Sequence, residues 1–93
     1  MKIGVLTLTF HLPGCRSLKE KRKRLGGLRD RFGRNTMVGV CESGLQDVHQ
    51  RAEWTFVAVG QNMAFVERTF ADIEQKVELN SDANLTDVAR EFV

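Results

Sequence analysis

Ninety-three residues bound the chain to one small domain, residues 1–93, with a core that is thin but sufficient. Apolar residues make up 42% and proline occurs once, which excludes a disordered chain, and no apolar run approaches the roughly 20 residues that cross a bilayer. The net charge of +2 averages two unlike parts: residues 16–34 hold nine basic and two acidic side chains, and the remainder holds five basic and ten acidic.

The opening stretch KIGVLTLTFHL is rich in β-branched and apolar residues and runs into Pro13-Gly14, a turn signal, which predicts a strand. Leu6, Leu8 and Phe10 form one face to be buried. Ile3 and Val5, then Thr7, Thr9 and His11, form the other. This alternation, with no small-residue cleavage site after it, separates the stretch from a secretory leader. Ser17 opens a helix, and Glu20 three positions later completes an S-x-x-E capping box, in which each side chain bonds the other's backbone N–H. Leu18, Leu25, Leu28 and Phe32 then fall on one helical stripe. Gly26-Gly27 interrupts it at a cost of about 1 kcal/mol per glycine relative to alanine, which predicts a kink or a close contact. The helix should stop near residues 33–35.

TMVGVCES and RAEWTFVAVG are the second and third strands, joined through GLQDVHQ. Asn62 caps a second helix whose Met63, Val66, Phe70, Ile73 and Val77 repeat at three and four, and whose Glu67, Asp72, Glu74 and Glu78 make it acidic. NSDAN breaks it. The tail LTDVAREFV suits a strand with Thr86, Val88 and Phe92 on one face, or a short helix on Leu85, Val88 and Phe92; a strand is expected.

The order β-α-β-β-α-β is the split βαβ, or ferredoxin-like, plan. Right-handed crossovers place both helices on one face of a four-stranded antiparallel sheet and leave the other bare. Trp54 and Phe56 point to one side of the third strand, Val57 and Val59 to the other, so either side is apolar there. A bare face of that kind predicts a homodimer through the sheet, burying about 800 Å² per partner.

In HLPGCRSLKEKRKRL, followed by QDVHQRAE, the sequence resembles a bacterial family of small uncharacterised proteins, the DUF503 or YlxP-like family. His11-Leu12-Pro13, the run from Ser17 to Arg22, and Asp47 with Gln50-Arg51-Ala52 carry the resemblance, which spans essentially the whole chain. It implies a ferredoxin-like fold and a cytoplasmic setting, with no established activity. Genes of the family often stand beside those for translation initiation and ribosome maturation factors, which implies an RNA or ribosome connection.

The residues point the same way. Clustered lysines and arginines attract phosphate backbones through Coulomb energy and counterion release, and arginine adds bidentate recognition of phosphate oxygens. The candidates are Lys19, Arg22, Lys23, Arg24 and Arg29, with Lys21 weaker, because it falls on the apolar stripe and would have to snorkel to water. A solvated face that only keeps the domain soluble is the plain alternative. His11, at the end of the first strand, and Ser17, at a helix N-terminus with free N–H groups, are candidates for holding an anion, and a structural histidine is the simpler account of the first. Asp47, Gln50 and Arg51 are candidates for partner contact, although Arg51 pairing with Asp47 or another nearby acid is the favoured, structural account. Trp54 and Phe56 could stack bases, but core or dimer packing is favoured, and the RNP signature of RNA-binding sheets is missing.

Cys15, Cys41, His11 and His49 match no zinc spacing, and Cys41 is expected to pack as a small hydrophobe in its strand. The expectation is a non-enzymatic cytoplasmic module without metal or cofactor, bound to RNA or the ribosome, dimeric through its sheet, and not a membrane protein. A dimeric protein-interaction or small-anion-binding module with no nucleic-acid role is the alternative.

Overall fold

The computed structural model describes residues 1–79 and 82–93. Strands β1 (Lys2–His11), β2 (Val38–Gly44), β3 (Arg51–Gly60) and β4 (Asn84–Phe92) form one antiparallel sheet in the order β2-β3-β1-β4. Helices α1 (Leu18–Leu25) and α2 (Gly27–Phe32) make the first crossover and α3 (Met63–Glu78) the second. This is the ferredoxin-like plan, with the first helix delivered in two pieces.

Alternation decides the faces. Leu6, Leu8 and Phe10 of β1 are buried and stand opposite Phe56, Trp54 and Ala52 of β3, so both central strands turn the same residues toward the helices. Leu25, Leu28 and Phe32 meet them from the first crossover, and Val66, Phe70, Ile73 and Val77 from α3, in one core. The Phe32 ring sits edge-on to Phe56 with centroids 5.5 Å apart. Trp54 and Phe56 therefore belong to the core and offer no base-stacking platform on the open side.

Two glycines stand where a side chain would not fit, one between layers and one within the first crossover. A Cβ on Gly4 would lie 2.7 Å from Val66 and Phe70, so only glycine lets α3 settle onto β1. At Gly26 a Cβ would lie 2.6 Å from the Arg22 carbonyl oxygen, which accepts from the Gly26 N–H at 2.7 Å; this tight turn separates α1 from α2. The expected kink is thus a break.

Local side chains fix the remaining ends. Ser17 Oγ accepts from the Glu20 N–H at 3.1 Å, but Glu20 reaches back to the Arg16 N–H at 3.3 Å rather than to Ser17, so the box closes one residue early. Asn35 Oδ1 accepts from the Met37 N–H at 2.9 Å, holding a turn that delays β2 to Val38. Asn62 Oδ1 caps α3 by accepting from the Phe65 N–H at 2.9 Å. The break expected over NSDAN includes Asn80 and Ser81, which lie outside the described residues.

The tail is a strand with Val88 and Phe92 on one face as expected, but Thr86 does not share that face. Pairing with β1 shifts between Thr9 and Phe10, from Asp87 to Leu85, so Thr86 is bulged and donates its hydroxyl to the Thr9 carbonyl at 3.1 Å. Arg90 and Phe92, paired with Leu6 and Gly4, face α3, where Arg90 Nε donates to Glu74 at 2.9 Å and the Phe92 ring lies 6.1 Å from Phe70.

The uncovered face is divided. Ile3, Val5, Val57 and Val59 are half-buried or exposed toward one end. Toward the other, Thr55 donates to Ser43 at 2.6 Å and Ser43 donates to Glu53 at 3.0 Å. Cys41 opens onto this face and is exposed, contrary to the packed position expected, because β2 is an edge strand; Cys15 is buried. Among the described residues no helix is long and apolar enough to cross a membrane.

Candidate functional site

The basic segment becomes α1 and α2, and packing of Leu25, Leu28 and Phe32 onto the sheet turns most of its charge outward. Lys19, Arg22, Lys23, Arg29 and Arg31 are exposed, and among the described residues none of them forms an ion pair. Lys19, Arg22 and Lys23 stand at helical spacings of three and four and so line one ridge.

Two basic residues of the segment are otherwise engaged. Lys21 does not snorkel: it is 3% exposed, and its Nζ donates to the carbonyls of Leu45 at 2.6 Å and Val48 at 2.9 Å and pairs with Glu42 at 3.2 Å. Three donors meet three acceptors, so nothing remains for a phosphate. Leu45 holds φ at 57°, a left-handed conformation costly for a bulky residue, and the ammonium grips its carbonyl. Arg24 is tied to the Pro13 carbonyl at 2.9 Å, the Asp82 carbonyl at 3.4 Å and Glu20 at 3.2 Å, bracing the helix against the loop before it. A hydrogen bond from the Cys15 side chain, then the Arg16 amide and the Arg24 and Arg16 charges, hold the Glu20 carboxyl below the usual carboxylate range despite some desolvation.

The other candidates do not form one site. His11 is exposed on the uncovered face, opposite Arg51 of β3 and Asn84 of β4, while Ser17 caps a helix on the covered face with its hydroxyl oxygen already accepting. Asp47 and Arg51 are both exposed and form no ion pair among the described residues, so the expected pairing is absent. The Gln50 carbonyl accepts from the Leu12 N–H at 2.8 Å, which closes the strand end. Asp47 and Gln50 border a shallow depression of about 500 Å³ with Cys15, Arg16, Val48 and His49.

What the structure does bring together is a cleft of about 430 Å³ between the α1–α2 segment and the β2–β3 end of the sheet. Arg22 and Arg29 reach it from the helices, Asp47 and Gln46 from the connecting loop, and Trp54 from the sheet. The Arg29 guanidinium lies over the Trp54 ring, 6.0 Å from its centroid. Glu42, which borders the same cleft, is neutralised by Lys21. Sequence reasoning singled out Arg22, Arg29 and Asp47 separately; no spacing signal joins them to Trp54, because the cleft is closed by a crossover. Arg31, one residue before Phe32 of the apolar stripe, is a further exposed basic residue of this segment beyond the candidates named from the sequence. Among the described residues, no three of His, Cys, Asp and Glu gather as a metal site requires.

Residues 3–90 match the model of a family described as a protein of unknown function, DUF503. No curated protein matches the chain. Among solved structures, the structural-genomics protein YJCS superposes with a TM-score of 0.61 at 10% identity, over 96% of each chain. The de novo designed protein Foldit4 superposes with a TM-score of 0.58 at 10% identity, over 100% of this chain and 97% of the other. A Deinococcus radiodurans protein, provisionally described as an antibiotic biosynthesis monooxygenase, gives 0.53 at 17% identity, over 100% of this chain and 90% of its own. At such identities the likeness is one of fold.

Proposed function

The chain belongs to the DUF503 family, and from that premise we propose that it is a cytoplasmic, non-enzymatic module that meets RNA or the ribosome through its basic first helical segment. One observation carries the reading. Lys19, Arg22, Lys23, Arg29 and Arg31 stand exposed and free of ion pairs among the described residues. Lys19 and Lys23, one turn apart, repel each other by a few tenths of a kcal/mol that a structural helix has no reason to keep. Both acids of the segment, Glu20 and Asp30, leave that ridge un-neutralised, since Glu20 is engaged by Arg24. The rest of the chain is acidic, so the ridge is the part to which a polyanion is drawn.

Co-sedimentation with RNA and with ribosomes at two salt concentrations tests this directly. Retention at low salt, loss at high salt, and loss in an R22E/K23E/R29E variant are expected. Absent binding at low salt, or binding indifferent to the three reversals, overturns the proposal.

The uncovered sheet face supports a second statement, that two copies pair through it. Val57 is 38% exposed there, and Ile3, Val5 and Val59 lie beside it on the central strands. Sedimentation equilibrium should give a dimer at micromolar concentration and a monomer for Val57→Glu; a monomeric wild-type chain removes the idea.

A further inference from the structure

We propose that the cleft between the α1–α2 segment and the β2–β3 end of the sheet is a pocket for one phosphorylated nucleoside unit. Its size, about 430 Å³, falls within the range of small-ligand pockets. Trp54 lines it, is 6% exposed, and has an Nε1–H with no hydrogen-bond partner among the described residues. A buried donor left without an acceptor costs about 1–3 kcal/mol, and indole is a donor only, so a ligand that relieves the cost must bring an acceptor.

The charges name that acceptor. Arg22 and Arg29 have donors and no acceptors, and Arg29 lies over the indole itself. Lys21 is satisfied within the chain, so it neither fills nor competes for this end. Two guanidinium groups fit the oxygens of a phosphoryl group, and the indole beneath Arg29 has a buried N–H that lacks an acceptor among the described residues. The loop wall has the opposite character. Asp47 accepts only, and Gln46 gives one of its two amide N–H groups to the Glu42 carbonyl at 3.2 Å, which leaves its side-chain oxygen to accept and one N–H to donate. That wall calls for hydroxyl or amino donors. A nucleoside monophosphate, free or as one residue of an RNA strand, has anionic oxygens at one end and such donors at the other. The pocket rests on the proposed phosphate-contacting ridge only for Arg22 and Arg29; the Trp54 observation is independent of it.

The chain has one tryptophan, so its nitrogen–proton correlation spectrum holds a single indole Nε1–H signal. The intact protein is titrated with adenosine and uridine monophosphates, the parent nucleosides, inorganic phosphate and a short single-stranded RNA. A saturable shift of the indole signal with the monophosphates, much weaker with nucleosides or phosphate alone, is expected. Arg29→Gln, on the exposed surface, and Trp54→Phe should each weaken monophosphate binding measured by calorimetry by about tenfold. An indole signal unmoved by millimolar monophosphate overturns the pocket, and RNA binding that persists in the same sample leaves the ridge standing. Monophosphate binding without RNA co-sedimentation supports the pocket and overturns the RNA reading. Inorganic phosphate acting as strongly as the nucleotides overturns the nucleoside part of the assignment.

Discussion

The Lys21 ammonium meets Glu42 and the carbonyls of Leu45 and Val48 in a space almost closed to water. Replacing it with methionine keeps most of the stem's packing and strands a carboxylate and two carbonyls. Breaking a buried pair costs about 3–5 kcal/mol, and the Glu42 side chain, still 25% exposed, places the cost at the lower end. Urea denaturation of Lys21→Met should therefore show a loss of about 3 kcal/mol, while the folded fraction binds RNA as the wild type does. That contrast separates a structural lysine from the basic residues around it that are proposed to contact RNA. Its place on the apolar stripe was legible in the sequence, because Lys21 lies three residues after Leu18 and four before Leu25, although that place alone predicts a stem snorkelling to water rather than a buried ammonium. Its partners were not, since they sit on a loop more than twenty residues away whose approach depends on the sheet. Glu20 supplies a pH signature. Its folded-state pKa lies below the ordinary value, so it contributes stability that is complete above the unfolded pKa and fades as pH falls through the folded one. A carboxyl-carbon NMR titration should find its midpoint below that of a glutamate in an unstructured peptide.

At the scale of elements, the two central glycines of the first crossover have different reasons to be there. Gly26 is held by contact with the Arg22 carbonyl, whereas a Cβ on Gly27 meets nothing within 4 Å. Propensity alone would have alanine stabilise both sites. The geometry instead gives a gain of about 1 kcal/mol for Gly27→Ala and a loss of about 1 kcal/mol or more for Gly26→Ala, measurable by thermal or urea unfolding. Strands β1 and β3 were legible because apolar alternation and turn signals agree there, and α3 because its stripe and its Asn62 cap agree. The bulge at Thr86 was not, because an extra unpaired residue changes facing without changing composition. The cleft was equally hidden: it exists only where a broken helix, a strained loop at Leu45 and the tryptophan of a central strand converge.

The whole molecule has three surfaces of different character. An acidic helix, α3, shares the covered side of the sheet with a basic segment, and the reverse of the sheet stays apolar toward one end and polar toward the other. Charge segregation on this scale does nothing for the fold, which the core of central-strand and helix residues secures. It decides which partners approach and from which side. Binding through an open ridge of guanidinium and ammonium groups releases counterions, at about 0.7 per phosphate neutralised on single-stranded RNA. The most direct measurement is the dependence of RNA affinity on salt, taken for the wild type and for the R22E/K23E/R29E variant. With four or five ridge residues engaged, the logarithm of affinity should fall with the logarithm of salt at a slope of about −3, and the variant should lose both the affinity and the slope. A wild-type slope near zero, or one the three reversals leave unchanged, would contradict the account.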